Sequence, residues 1–273
     1  MQYTLPFTWG ARTYVMGIIN VTPDSFSGDG LAGDVSAAVA QARAFVEAGA
    51  DLLDVGGEST RPGHEPVDEA TELARVVPAV RAIAAAVSVP ISVDTSKAAV
   101  AEAALEAGAR VVNDVWALTA DPRMAAVVAH AGVPVVLMHN QEGTHYDDLV
   151  PDVIAALAAR VRFAEVAGIP RAQIIVDPGI GFGKTAEHNL EVIDRLAELK
   201  LLGCPILLGP SRKRFIGRIL GDAPPEKRLE GTGAAVAIGI ARGADIVRVH
   251  DVAAMVKVAR VADAITRRRP AHR

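Results

Sequence analysis

AGIPRAQIIVDPGIGFGK, residues 167–184, sets the pattern by which the whole chain can be read. An Ala-Gly pair closes a helical stretch, a short β-branched run follows, and that run ends on a carboxylate before a glycine-rich turn. Glycine just past a helix takes the left-handed conformation that ends it, and Val/Ile runs suit strands buried on both faces. The unit recurs as AGADLLDVGGE from Ala48, AGARVVNDV from Ala107, AGVPVVLMHN from Ala131 and RGADIVRVHDV from Arg242. Three further runs, VMGIIN at 15–20, PISVD at 90–94 and PILLG at 205–209, bring the strand candidates to eight.

The segments between these runs carry helical period. Val35, Ala38, Val39, Ala42, Phe45 and Val46 stripe the first, and Leu190, Ile193, Leu196 and Leu199 stripe a later one. Asp34 and Ser96 are expected N-caps. Strand and helix alternating eight times with short connections predict an α/β chain, a single (β/α)8 barrel domain spanning residues 1–273. A doubly wound open sheet is the alternative that periodicity leaves open. Residues 5–15 are expected to form a short N-terminal β-hairpin turning at Trp9-Gly10-Ala11.

Composition fits one large core: 51% of residues are hydrophobic and 22% charged, which excludes a disordered chain. A formal charge of −4 gives no field to gather nucleic acid. Arg267–Arg269 and Arg273 form the basic cluster, at the C-terminus where cations suit a helix end. Cys204 is the sole cysteine, so an internal disulfide and a Cys-rich metal site are excluded. No run approaches the 18 or so apolar residues of a membrane span, and the opening lacks a secretory leader, so the expected location is the cytosol.

The tail of the opening stretch, Gly183-Lys184-Thr185, invites comparison with a nucleotide P-loop. That motif wants a small residue at position 178, and Pro178, which stands there, has no amide to offer a phosphate. What remains is Asp177 at a strand end. Polar residues follow the other runs in the same place: Asn20, Asp54 with Glu58, Asp94, Asn113 with Asp114, His139, Ser211 with Lys213, and Arg248 with His250. In a (β/α)8 barrel these ends converge on one mouth, with the anion-binding region after the last two strands. Asp94, Asn113 and Asp177 can accept from the NH edge of a flat heterocycle, whereas Lys213, Arg248, His250 and Arg61 suit an anion.

MGIINVTPDSF (16–26), GGESTRPG (56–63), SVDT (92–95), ND (113–114), DPGIGFGK (177–184), GPSRKRFIG (209–217) and RVHDV (248–252) together resemble the dihydropteroate synthase family over nearly the whole chain. The resemblance implies a transferase of folate biosynthesis. It would condense 6-hydroxymethyl-7,8-dihydropterin diphosphate with p-aminobenzoate, giving 7,8-dihydropteroate and diphosphate. It implies pterin binding by Asp94, Asn113, Asp177 and Lys213 between walls made by Val115 and Met138. Asn20 would help hold Mg²⁺ near the diphosphate, with anion contacts from Arg248, His250, Arg61 and Thr60. Pro62, Phe182 and Ser211 would hold the aminobenzoate, whose pocket sulfonamides can occupy in this family. The catalytic set implied is Asp94, Asp177, Lys213 and Arg248, and a homodimer is expected. Lys184 reads as a rim residue. The first loop has SFSGDG at 25–30 where the family reads SFSDGG, so Asp29 takes no family role. Two rivals stand beside this reading: a pterin-binding methyltransferase barrel, which would not need the SRK and RVHDV cations, and a pterin binder without turnover, which the displaced Asp29 would suit.

Overall fold

The computed structural model describes residues 2–22, 34–58 and 67–267. Among these, eight parallel strands form one sheet: β1 (Tyr14–Asn20), β2 (Leu52–Gly56), β3 (Ile91–Asp94), β4 (Val111–Asp114), β5 (Val135–Met138), β6 (Ile174–Asp177), β7 (Leu207–Leu208) and β8 (Ile246–Val249). The helices between and after them are α1 (Val35–Glu47), α2 (Glu69–Ala86), α3 (Ala98–Ala107), α4 (Met124–Ala131), α5 (Leu149–Val166), α6 (Ala186–Asp194), α7 (Arg214–Ile219), α8 (Leu229–Ala241) and α9 (Val252–Thr266). The strand order is β6-β5-β4-β3-β2-β1-β8-β7. A parallel bridge between Val176 and Ile206, with Val176 N–H donating to Pro205 O at 2.9 Å, joins the two ends. The sheet is thus a (β/α)8 barrel, and the open-sheet alternative falls away.

Side chains alternate across each strand, and the packing follows that parity. Val15, Ile19, Leu53, Val55, Val93, Val112, Val135, Leu137 and Val247 face outward into the helix layer. Tyr14, Met16, Leu52, Val111, Val136, Ile175, Leu207 and Ile246 face inward and fill the lower barrel. The glycines that closed the repeated helical segments, Gly49, Gly108, Gly132, Gly168 and Gly243, all have positive φ, between 65° and 123°. The expected helix terminators therefore act as such.

Three expectations need correction. Residues 2–13 form no strand: Ala11 N–H closes a turn on Thr8 O, but Thr8 N–H goes to the Tyr14 hydroxyl at 2.7 Å and Tyr3 N–H to Gly132 O. With its donors so committed, the segment runs beneath the barrel, where Leu5, Tyr3 and Phe7 pack on the lower interior. Asp34 does cap α1, accepting from Ala37 N–H at 2.9 Å, but Ser96 does not cap α3. Lys97 stands at that N-cap, its ammonium drawn to Glu58 and to buried Glu72, and the first helical amide, Ala98 N–H, is met by Asp121. Finally, α6 ends at Asp194 and Leu196–Leu202 is a 3₁₀ turn. Leu196 and Leu199 are buried while Leu190 is 45% exposed.

No helix of the described residues is long and apolar enough to cross a membrane. Because Leu5 lies on the barrel floor, at the opposite end from the strand C-termini, Leu5→Ala is expected to lower unfolding free energy by about 2–3 kcal/mol. Chemical denaturation should register that loss while steady-state kinetics stay within about twofold of the parent.

Candidate active site

The strand C-termini bring an inward-facing polar layer together over the apolar floor. Register places it directly: Asn20 pairs with Gly56, Gly56 with Asp94, Asp94 with Asn113, and Met138 with Asp177. Gly56 contributes no side chain, which leaves space between Asn20 and Asp94. Asn113, Val115, Met138, Asp177, Ile180, Phe182, Gly209, Lys213 and Arg248 line one small cavity.

Arg248, on β8, is the centre of the layer. Its Nε donates to Asp54 Oδ2 at 2.6 Å and its Nη2 to Asp94 Oδ2 at 2.7 Å. Asn113 Nδ2 donates to the same Asp54 oxygen at 3.0 Å. Burial works against the guanidinium charge, but Asp54 and Asp94 outweigh it and hold Arg248 above its usual value. Burial pushes the Asp94 carboxyl up to about 7 against the pull of Arg248, with Asp54 adding repulsion. The second oxygens, Asp54 Oδ1 and Asp94 Oδ1, are buried without a hydrogen-bond partner among the described residues. A buried acceptor without a donor is costly, so a ligand bearing NH groups would complete them.

Asp177 ends β6 and accepts Gly179 N–H at 2.7 Å. Burial raises its carboxyl to about 6, opposed by Gly179 N–H, Lys213 and Arg248. Val115, Met138 and Phe182 form an apolar cluster of their own at this mouth. Lys213 Nζ sits 4.2 Å from the centroid of the Phe182 ring, in cation–π geometry. The cavity therefore combines apolar walls with the Asp177 carboxylate, the Asn113 amide and the cations of Lys213 and Arg248.

Ser211 and His250 are joined. His250 N–H donates to Ser211 Oγ at 3.1 Å, and Oγ lies 2.9 Å from His250 Nδ1. A hydroxyl that accepts from the amide can also donate its own proton to Nδ1. Between Ser211 and Lys213, Arg212 adopts φ +54°, a region that non-glycine residues seldom occupy. Two hydrogen bonds to Asp251, 2.9 and 2.6 Å, and one from Arg212 N–H to Thr232 Oγ1 hold it there. Sequence reasoning passed over Arg212 and Asp251, and it named Asp54 without giving it a role. The alternation of inward positions along β2 was the signal that could have found Asp54.

Some strand-end residues lie elsewhere. Asp114 faces outward and accepts Trp116 and Leu118 N–H at 2.9 and 2.7 Å, shaping the turn after β4. Asn20 is half-buried at the end of β1, on the inward side by parity with Met16. Lys184, expected on the rim, is half-buried and turned toward His139, with Nζ 3.0 Å from Nδ1. Thr60, Arg61, Pro62 and Asp29 lie outside the described residues.

Comparison with known proteins agrees with this architecture. Residues 16–250 match the family described as pterin binding enzyme. The dihydropteroate synthase of Bacillus subtilis is 50% identical over 261 residues, covering 96% of this chain and 91% of that protein. A solved dihydropteroate synthase from Xanthomonas albilineans with 4-aminobenzoic acid superposes with a TM-score of 0.90 at 47% identity, covering 95% of each chain. One from the same organism in complex with 7,8-dihydropteroate gives 0.86 at 43% identity, again over 95% of each. The chain belongs to the dihydropteroate synthase family of pterin-binding (β/α)8 barrels.

Proposed function

We propose the following division of labour for the condensation this chain carries out, in which 6-hydroxymethyl-7,8-dihydropterin diphosphate and p-aminobenzoate give 7,8-dihydropteroate and diphosphate. The reading is supported above all by the cavity at the strand ends, where Asn113, Asp177 and Lys213 meet Val115, Met138 and Phe182, with the unpartnered buried oxygen of Asp94 in the same inward layer. The pterin lies between Val115 and Met138. Its ring NH and amino groups donate to Asp94 and Asp177, Asn113 meets the same edge, and Lys213 donates to acceptors on the ring. As the bond from the pterin methylene to the diphosphate oxygen breaks, positive charge spreads into the ring. The two carboxylates stabilise charge that exists only in that transition state. The arylamine nitrogen then forms the new bond to the methylene carbon and loses a proton to water, so no strong base is needed.

Departing diphosphate is met by His250 and by the part of the Arg248 guanidinium that Asp54 and Asp94 leave over, together with Thr60 and Arg61. Phe182, Ser211 and Pro62 hold the aminobenzoate. The donors available for Mg²⁺ can be tested against its chemistry. Asn20 offers one neutral oxygen at the end of β1. That suits Mg²⁺, which keeps several waters and binds through few protein atoms plus substrate phosphates. When bound, the ion would lower the charge of the leaving diphosphate. The proposed compartment is the cytosol, which suits a chain whose sole cysteine, Cys204, is a buried free thiol.

The proposed assembly is a homodimer through α6, α7 and α8. These helices share an apolar groove lined by Leu190, Phe215, Ile216, Ile219, Leu220 and Ile238. Ile219 is 59% exposed, Ile238 49% and Leu220 47%, a patch of the kind that marks a protein contact. A second copy presents the same face, so one two-fold axis covers both grooves.

The parent should release diphosphate only when both substrates are present, and Lys213→Ala should cut kcat/KM at least about a hundredfold. A sulfonamide should compete with aminobenzoate and not with the pterin. Release without the arylamine, or kinetics of Lys213→Ala like the parent's, would remove the scheme.

Asp177→Asn should separate stability from function. The folded carboxyl titrates at about 6 against an ordinary 3.8, so the cost of ionising it is absent below about pH 4 and complete above pH 6. The variant is expected to gain on the order of 1–3 kcal/mol over the parent at pH 8 and nothing at pH 4, read by denaturation. Calorimetry should show pterin binding weakened at least tenfold, since an amide replaces the anion.

Ile219→Asp should convert the dimer to a monomer in light scattering. A monomeric parent at micromolar concentration would overturn the proposed interface.

A further inference from the structure

The segment after β6 is tied down at successive residues. Phe182 N–H donates to Gly179 O at 3.1 Å, Gly181 N–H to Asn189 Oδ1 at 2.6 Å, and the Tyr146 hydroxyl to Gly183 O at 2.7 Å. It also lies hard against the loop after β5. A Cβ on Gly179 would stand 1.9 Å from His139 O, and one on Gly183 would stand 2.7 Å from Gln141 O.

Lys184 is the side chain that joins these two loops. Its Nζ donates to Phe182 O at 3.1 Å and stands 3.0 Å from His139 Nδ1, with the Tyr146 ring centroid 6.0 Å away. Burial lowers the His139 imidazole to about 3, and the charge of Lys184 adds to that effect, so the ring is neutral and Nδ1 accepts. Burial also lowers the amine of Lys184 to about 7, opposed by Asp177 and assisted by Lys213. Lys184 does not line the cavity beside Phe182. Its reach toward substrate is therefore through the Phe182 backbone, on which the ring facing Lys213 Nζ at 4.2 Å depends.

We infer that Lys184 is a positioning residue for the arylamine: by linking the Phe182 carbonyl to His139, it fixes the Phe182 ring as one wall of the second-substrate pocket. The inference rests on the reading of Phe182 as an aminobenzoate contact. A loose Phe182 wall leaves the strand-borne pterin contacts, Asp94, Asn113 and Asp177, as they were. The arylamine then binds a pocket that must be ordered at its own expense.

Lys184→Met, Lys184→Arg and Phe182→Ala test this by steady-state kinetics in both substrates, with pterin affinity from calorimetry and stability from thermal melting. Lys184→Met is expected to raise KM for aminobenzoate about tenfold, the equivalent of one charge-assisted hydrogen bond, while pterin affinity stays within about twofold. Lys184→Arg, which can still donate to Phe182 O, should recover most of the loss. Should the Met variant not fold, Lys184→Gln carries the same comparison. An unchanged aminobenzoate KM in Lys184→Met, with a raised one in Phe182→Ala, overturns the role of Lys184 and leaves the pocket standing. An unchanged KM in Phe182→Ala overturns the pocket reading and the inference with it. Equal loss of pterin and arylamine affinity with a lowered Tm overturns the inference in favour of a general structural role.

Discussion

Arg248 places a single guanidinium between two buried carboxylates that come from neighbouring strands and would otherwise repel one another. Asp54 and Asp94 are 0% and 4% exposed, and at such depth the attraction of each to the guanidinium is screened far less than at the surface. Losing the cation would leave two uncompensated buried charges, the situation that makes broken buried pairs costly. The arrangement also commits one oxygen of each carboxylate and leaves the other buried without a hydrogen-bond partner among the described residues. The polarity of the site is therefore set before any ligand arrives, which lets it act without reorganising as charge develops. Asn113 joins the same network through Asp54, so β2, β3, β4 and β8 share one hydrogen-bonded centre.

The loop after β7 shows a second constraint at work. Lys213 and Ser211 reach the mouth because the residue between them is held at φ +54°, and Asp251 and Thr232 over-determine that conformation. Strain of this kind persists where surrounding structure enforces it. The motif SRK is thus read by the fold as two outward-serving residues and one, Arg212, spent on geometry.

Much of this was legible along the chain because the governing rules are local. The eight β-branched runs became eight strands, and each repeated glycine took the left-handed conformation its helix end required. Asn113 and Asp114 were grouped at one strand end, and strand parity turns the first inward and the second outward. The errors arose where spacing was read with the wrong period or where a partner was distant in sequence. Leu190, Ile193, Leu196 and Leu199 are spaced strictly by three, the repeat of a 3₁₀ turn, in which residues three apart eclipse. The last two lie in such a turn and Leu190 on the exposed face of α6. Thr8 was read as part of a hairpin because its amide's partner, the Tyr14 hydroxyl, is a side chain. Lys184 looked like a rim residue because nothing in its own neighbourhood announces His139, 45 positions earlier.

The barrel closes less evenly than its eight strands suggest. β7 is two residues long, and its side of the wall meets β6 through the Val176–Ile206 bridge, where the other neighbouring strands share ladders. Mechanically the molecule is a curved sheet fastened by a clasp, and local opening begins where such cross-strand bonding is sparsest. The clasp runs directly beneath the two loops that carry Phe182 and Lys213. The seam where the cylinder is easiest to part therefore lies next to Asp177 at the mouth, whereas β3 and β4, which carry Asp94 and Asn113, lie in the continuous, stiffer arc.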